Sequence, residues 1–477
     1  MKMNRMFNIR VIFMIVGVVL CPQCGYALRA PVNTPENELR IKTVKEKIAE
    51  KEELIRLVND WKNYRKNERR ILELSCSLLG IKNISDFRPI RPIKPIILAA
   101  GKGARAKTTG LEVPKVLGEV IGKPSIAIVL DTIISLPMTI EEPLIITGED
   151  NLEIIKQALK DYQGGYCIAD RQLGTGYSVL QAEKALLGFN GDVLVVYSTQ
   201  PVIRSETIFK SILIHQAMGD VPMTLPTAGR NNPYAPIIRD SNGKIIDSVE
   251  TRLEGSETVE YGEDNIGLYI VRNEYLFNIL MSAHNSLFNA EKNAYNPPGE
   301  LGFPNQMIRT LAKYDRTVLG LAMSDPMEQQ GIKVKSHLDL TAGYRIRLVE
   351  KQVRKLAMRG RRKAEYLMGR RLVNIDLRDA IPQYSNKKVL ITGAAGSLGS
   401  VLSLYLSEFN LKEIALLDKD RENLLLLEKE LKKRKPSLRI EIIVMDIRDK
   451  DEIEGVFSRY KPEYVFHAAA FKYTDQL

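Results

Sequence analysis

IILAAGKGARAKTTGLEVPKVLGEVIGKP, Ile96 to Pro124, decides how the rest of the chain is read. It opens as a short apolar run, the pattern of a buried strand, and passes directly into a loop carrying Gly101 and Gly103. Glycine has no Cβ, so such a loop lets backbone N–H groups approach a triphosphate closely. Arg105 and Lys115 add positive charge, which a reaction at phosphate oxygens needs. A tight turn would account for the two glycines alone. The full spacing LxxGxGxR, from Leu98 through Ala100 to Arg105, followed by PKxL from Pro114, is much more specific.

Downstream of this stretch, short β-rich runs alternate with helical patterns: IILAA, PLIITG, VLVVYS and DNIGLYIV, as far as about Leu340. That alternation is the α/β signature of a mostly parallel sheet. Upstream, RPIRPIKP (Arg88 to Pro95) reads as a proline-rich linker. Before it, Thr34 to about Leu79 reads as helix, with apolar residues at three- and four-residue spacings (Ile41, Val44, Ile48; Leu54, Ile55, Val58). A stripe of this kind predicts a helical arm or hairpin packing on a partner.

The chain has 477 residues, too many for one ordinary domain. Its 44% hydrophobic and 27% charged content is that of a soluble globular protein. Four cysteines in this length make no disulfide framework, and the CxxC at Cys21–Cys24 has no second pair to complete a zinc site. Four histidines without ligand spacing argue against a metal–histidine centre, so no protein metal site is predicted. The net charge of +11 is concentrated: Arg345 to Arg371 holds eleven Lys/Arg against two Glu. This basic helical stretch is a solvated face or a contact for an anionic membrane surface. No aromatic interleaving supports nucleic acid. At the N-terminus, Lys2, Arg5 and Arg10 precede an apolar run, Val11 to Leu20, with Gly25-Tyr26-Ala27 beyond. That pattern predicts a signal peptide or short anchor. It conflicts with the cytoplasmic location that nucleotide chemistry expects, and localisation is left open.

The Ile96 stretch resembles the sugar-1-phosphate nucleotidyltransferases, in particular the bacterial N-acetylglucosamine-1-phosphate uridyltransferase domain. Further landmarks follow in order. Arg171 to Gly176 (RQLGTG) resembles the family's uracil-binding stretch; Val249-Glu250 and Asp264 to Gly267 resemble its sugar-binding segments; Gly299-Glu300 and Gln330 to Leu340 resemble its closing segment. The resemblance covers about Ile96 to Leu340. It implies attack of a sugar-1-phosphate oxygen on the α-phosphorus of UTP with loss of pyrophosphate. It also implies a nucleotide site at Leu98, Ala100, Gly101, Gly103, Gln172, Gly174, Thr175, Gly176 and Thr199. Gln172 would bond uracil, Glu250 and Asn265 would hold sugar hydroxyls, and Arg105 and Lys115 would sit on phosphates.

The match breaks at two positions. The family's strand ends G-D-x-P, and its Asp binds Mg2+; here VLVVYSTQPVI, Val193 to Ile203, puts Thr199 at that place. The family's second ligand is an Asn in a G-[IV]-N segment; here Gly331-Ile332-Lys333 puts Lys333 there. Three explanations stand: a retired site, a site in which Lys333 neutralises phosphate in place of the metal, or Mg2+ carried by the substrate phosphates with Thr199 in its outer shell. Ala104 and Pro233-Tyr234-Ala235-Pro236 depart as well, the latter from a glycine-containing sugar contact.

KKVLITGAAGSLGS opens a second strand–loop–helix unit with Gly393, Gly396 and Gly399. Such glycines permit a tight turn, and a helix N-terminus favours a pyrophosphate. Asp418 ends the next strand at the spacing expected for an adenosine ribose contact, and Asp446 follows near the adenine position. This segment resembles the extended short-chain dehydrogenase/reductases, most of all the polysaccharide-biosynthesis UDP-sugar 4,6-dehydratases. The resemblance implies NAD(P). The family's Tyr-x-x-x-Lys pair lies beyond Leu477, and Tyr473 has no Lys four residues on, so a partial Rossmann domain with a bare sheet edge is expected.

The expected fold class is therefore α/β: a Rossmann-like nucleotidyltransferase domain with a mixed, mostly parallel sheet, plus a partial NAD(P)-binding Rossmann domain and helical N-terminal and linker segments. The expected boundaries are 1–30 leader, 31–92 helical arm and linker, 93–340 transferase-like domain, 341–386 basic helical linker and 387–477 partial Rossmann domain. Expected partners are UTP, a sugar-1-phosphate and NAD(P); the oligomeric state is not legible. The competing expectation is a non-catalytic nucleotide-sugar-binding or scaffold protein.

Overall fold

The computed structural model describes residues 35–101, 108, 110–249, 259–296, 299–351, 377 and 380–469, with only the backbone course for 35–43. The leader, Gly103, Arg105, Glu250, Tyr473 and most of the basic 345–371 stretch lie outside the described residues.

An eight-stranded sheet organises the first α/β unit. Its strands are β1 (Ile93–Leu98), β2 (Leu144–Thr147), β3 (Gly165–Ile168), β4 (Asp192–Tyr197), β5 (Met223–Asn231), β6 (Tyr261–Asn265), β7 (Leu268–Arg272) and β8 (Val318–Leu321). The spatial order is β6-β5-β7-β4-β1-β2-β3, with β8 alongside β5. β1 pairs in parallel with β2 and β4, β2 with β3, and β5 with β8. β7 runs antiparallel to β4 and β5, and β6 antiparallel to β5. The sheet is mixed and mostly parallel.

Near-continuous apolar strands have both faces covered, as parallel strands require. Ile97, Leu194 and Val196 pack in one layer with Ile71, Leu74 and Ile212; Ile96, Val193 and Val195 pack in the other with Leu276, Leu280 and Met307. Pro95 sits in β1 opposite Leu194, but β2 begins pairing only at Ile96. The residue without an N–H therefore precedes the part of β1 flanked on both sides.

Three expectations are corrected. The first is what covers the N-terminal helical segment: it forms a hairpin of two helices, α1 (Pro35–Asn59) and α2 (Tyr64–Leu79), that packs on this chain's own sheet unit. Leu54, Val58, Tyr64, Ile71 and Leu74 are buried there, worth roughly 1.5–3 kcal/mol for each large apolar side chain. Arg70 grips Glu53 with two hydrogen bonds of 2.9 and 2.8 Å, joining the hairpin, and Lys210 reaches Glu68 at 2.9 Å, joining it to helix α3 (Ser205–Met218). The supposed proline-rich linker is docked: Phe87 is buried, the Ile90 N–H donates to Gln216 Oε1 at 2.8 Å, and Arg91 pairs with Asp192 at 3.1 Å. Finally, DNIGLYIV is not one strand. Asp264-Asn265 ends β6, and Gly267 at φ +83° turns the chain into β7. Only glycine adopts that angle without strain.

The C-terminal unit is a four-stranded, all-parallel sheet of β9 (Lys388–Thr392), β10 (Glu413–Asp418), β11 (Arg439–Val444) and β12 (Tyr464–His467), ordered β11-β10-β9-β12. The central β9 buries Val389, Leu390 and Ile391 completely, whereas edge strand β12 leaves Val465 43% exposed. Among the described residues β12 pairs on one side only. Contacts between the two units include a hydrogen bond from Ser385 Oγ to the Ile121 carbonyl at 2.8 Å, an Arg439–Asp161 ion pair at 2.7 Å, and Ile121 packed against the C-terminal core.

Candidate functional site

Parallel strands deliver their carboxyl ends to one edge, and β1, β2 and β4 do so here. Leu98 ends β1, and its carbonyl accepts from the Ser198 backbone (3.1 Å) and hydroxyl (2.6 Å), tying the turn after β4 to the start of the glycine loop. Ala100 is buried. A methyl group on Gly101 would lie 3.1 Å from Lys115 Nζ, so the ammonium rests against the loop. A methyl group on Gly148, after β2, would lie 3.9 Å both from the Ala100 carbonyl and from the Gln172 amide nitrogen. Gln172, from the loop after β3, thus meets the first loop across Gly148, a residue that sequence reasoning passed over.

Gly174 and Gly176 are spent on packing. Gly174 has φ +101°, and a methyl there would come within 2.5 Å of the Leu301 carbonyl oxygen. The Gly176 N–H donates to that oxygen at 2.7 Å, and Thr175 Oγ1 accepts from the Phe303 N–H at 2.9 Å. These residues hold the 301–303 segment against the site.

The two departures from the family pattern do come together. The Ile332 N–H donates to the Thr199 carbonyl at 2.8 Å, and Gly331 abuts the Thr199 side chain. The 325–333 segment is fixed by a buried carboxylate: Glu328 accepts from the Arg204 guanidinium (2.6 Å), Thr207 and the Asp325 N–H. Gln200 and Gln329 lock the same corner, donating to the Ile266 and Asn265 carbonyls at 2.7 and 2.8 Å. The Lys333 Nζ lies 3.5 Å from the centroid of the Tyr234 ring, a cation–π contact between two of the altered positions. Asn265 is buried, accepting from the Gly267 N–H and donating to Tyr269 and Ser248. Asp264 accepts from the Tyr234 and Ala235 N–H groups, and burial pushes its carboxyl above the usual range.

Thr199 and Lys333 do not fit a divalent cation: a hydroxyl and an ammonium stand where hard anionic oxygens are needed. Among the described residues no group of three His, Cys, Asp or Glu forms a metal cluster. Among them, too, no helix is long and apolar enough to cross a membrane.

In the second unit, Gly393 has φ +68°, and a methyl there would strike the Ala469 backbone at 2.5 Å; one on Gly399 would lie 2.1 Å from the Gly393 oxygen. Gly396 caps the helix Ser397–Leu406. Asp418 sits beside this loop, accepting from the Ala395 N–H at 3.0 Å. Asp446 is held by Arg448, which draws its carboxyl far below the ordinary range.

Strand order and loop placement define the class: an α/β nucleotidyltransferase-type unit followed by a Rossmann-type unit. The comparisons specify the relatives. The first unit is homologous to bifunctional GlmU proteins, 34% identical over 245 residues to that of Clostridium novyi (strain NT) and 33% over 239 residues to that of Enterococcus faecalis (strain ATCC 700802 / V583). These alignments cover 51% and 50% of this chain and 50% and 48% of the relatives, so the chain spans about half their length. Residues 389–476 match the family described as "Polysaccharide biosynthesis protein". Among solved structures, 4-diphosphocytidyl-2C-methyl-D-erythritol synthase from Anaerococcus prevotii aligns with 53% of this chain and 98% of its own at 18% identity and a TM-score of 0.36. The chain therefore joins a segment similar to GlmU proteins to a segment that matches the family described as "Polysaccharide biosynthesis protein".

Proposed function

We propose that the first unit transfers a uridylyl group from UTP to a hexosamine-1-phosphate, within nucleotide-sugar metabolism for polysaccharide synthesis. The observation that carries this reading is the approach of Ala100, Gly101, Lys115 and Gln172 to one another at the carboxyl edge of β1 and β2. Gln172 would pair with the base, and Lys115, with Arg105, would neutralise the triphosphate. An acceptor phosphate oxygen would attack the α-phosphorus while the bond to pyrophosphate breaks. Such transfer is chiefly positioning and charge neutralisation. Thr199 and Lys333 offer no cation site, so no step is routed through one.

In the second unit, Gly396 and Asp418 are the groups that would hold the pyrophosphate and ribose of NAD(P), which would supply hydride chemistry when bound.

Pyrophosphate release from UTP with N-acetylglucosamine-1-phosphate, run with Mg2+ and with EDTA, tests the transferase reading. Turnover that survives EDTA supports charge supplied by protein side chains; turnover only with Mg2+ supports a substrate-carried ion. UTP binding without turnover in either condition would sink the enzyme reading. It would favour the second reading, a nucleotide-sugar-binding protein, to which the Lys333–Tyr234 contact also lends weight.

A further inference from the structure

A two-residue turn at Ile121-Gly122 joins the short antiparallel strands Glu119–Val120 and Lys123–Pro124. Both turn residues have positive φ, +51° and +67°. Such a turn suits Asn-Gly, and a β-branched side chain in the left-handed region is strained. The turn itself does not call for isoleucine. The side chain is used outside the turn. Ile121 packs on the core of the C-terminal unit, beside Val389, Ile391 and Ala394, and its carbonyl accepts the 2.8 Å hydrogen bond from Ser385. The same side chain packs against Leu111, Val120, Ile128 and Ile332 of the first unit. Ile121 thus touches a buried cluster in each unit. A second element crosses at the same place. Residues 337–351 are helical. Leu338 and Ala342 pack on the first-unit cluster, Ile346 and Val349 on the C-terminal core, and their three- and four-residue spacing makes one continuous apolar stripe. From the same helix, Arg345 Nη1 donates to the Pro201 carbonyl at 2.6 Å.

These contacts hold the edge of the candidate site. The hairpin follows the helical turn Lys115–Leu117, and Lys115 Nζ rests at Gly101. Just past the hairpin the Ser125 hydroxyl donates to the Ser198 carbonyl at 2.8 Å, and the Ile332 N–H donates to the Thr199 carbonyl at 2.8 Å. Leu338 lies against Gly118, where a methyl group would come within 3.1 Å of its Cδ2. Close-packed interiors pass a displacement along such contacts. We propose that Ile121 is a positioning residue: seated in the C-terminal unit, it fixes the 115–125 hairpin and, through it, Lys115 and the Ser198–Thr199 turn. The second unit then acts as a clamp on the first. A strained residue persists where its surroundings over-determine it, and here the surroundings belong to the other unit. The consequence for turnover rests on the transferase reading; the clamp itself does not.

The test compares the full chain with its Ile121→Asn and Ile121→Leu variants by amide hydrogen exchange and by pyrophosphate release. Asparagine suits the turn better than isoleucine but removes the apolar contact, so a purely local role and a clamp predict opposite signs. With a clamp, exchange of peptides spanning 115–125 quickens about tenfold or more in Ile121→Asn, and Ile121→Leu stays within about threefold of the parent. Peptides from the central strands β4 and β9 keep the parent's protection, which reports that both units remain folded. In an active enzyme, kcat for pyrophosphate release falls about tenfold in Ile121→Asn and is largely recovered in Ile121→Leu. Unchanged or slower exchange at 115–125 in Ile121→Asn overturns the proposal. So does faster exchange spread over both sheets, the mark of a merely structural role, or a loss that Ile121→Leu shares in full. Faster local exchange with unchanged kcat refutes the positioning of Lys115. A parent that releases no pyrophosphate refutes the transferase reading alone, because exchange still reads the clamp.

Discussion

The two glycine loops look alike as text and differ in physics. In the second loop the fold itself demands glycine, because methyl groups at 393 and 399 would meet backbone atoms at 2.5 and 2.1 Å. In the first, a methyl at 101 would meet, among the described residues, only the far end of the Lys115 side chain at 3.1 Å. One loop uses glycine to close a strand–helix turn. The other uses it to leave room for a charge. A glycine-rich motif is therefore evidence of a ligand only where packing has not already claimed its glycines.

The sharpest way to break this contrast is Gly399→Ala. Backbone cannot step aside as a side chain can, so a loss of about 4 kcal/mol or more in the C-terminal unit is expected, read by denaturant unfolding. Survival of that unit would mean the loop is not the tight turn described. Asp192→Asn strikes the other sheet alone. Asp192 is buried among Arg91, Arg272 and His215, and removing the anion strands buried cations, at about 3 kcal/mol. Burial by itself would raise this carboxyl, but His215 and Arg91 hold it down to about 2. Its folded value thus lies below the unfolded one. The stabilisation should be complete above the ordinary carboxylate range and fade as pH falls toward about 2, with the Asn variant lacking that acid-dependent loss.

Lys115→Ala should act on chemistry with little effect on folding. Pyrophosphate release is expected to fall about a hundredfold, as when one preorganised charge is removed from a phosphoryl-transfer site, with the melting temperature unchanged. Gly101→Ala refines the comparison further: the lysine tip shifts, activity falls about tenfold, and stability holds. A Gly101→Ala chain that fails to fold would erase the distinction between the loops. Smallest is Ser385→Ala, which removes the hydrogen bond to Ile121 and should cost about 1 kcal/mol at the contact between the units, seen as earlier local opening in hydrogen exchange.

Local rules carried much of this reading. The apolar runs at Ile96, Leu144, Val193 and Val389 became strands because short continuous runs of apolar residues and the turn residues that bound them act within a few positions. The glycine loops and the Asp418 spacing were legible for the same reason. The α1–α2 hairpin was legible as helix but not in its destination, since an apolar stripe states that something covers it and not what. The division of Asp264 to Val271 into two strands was hidden because a single glycine at positive φ reverses the chain without disturbing its hydrophobic pattern.

By itself, the amino-acid order determined an α/β chain of two glycine-loop units and marked Thr199 and Lys333 as departures. Only the tertiary structure decided what those departures face. Lys333 meets Tyr234, Thr199 meets Gly331, and Arg230 meets Gln329, each from a distant part of the chain. Sequence periodicity reports which side of an element seeks cover. The meeting of such side chains depends on loops brought together after every element has packed, and no local pattern encodes that distance.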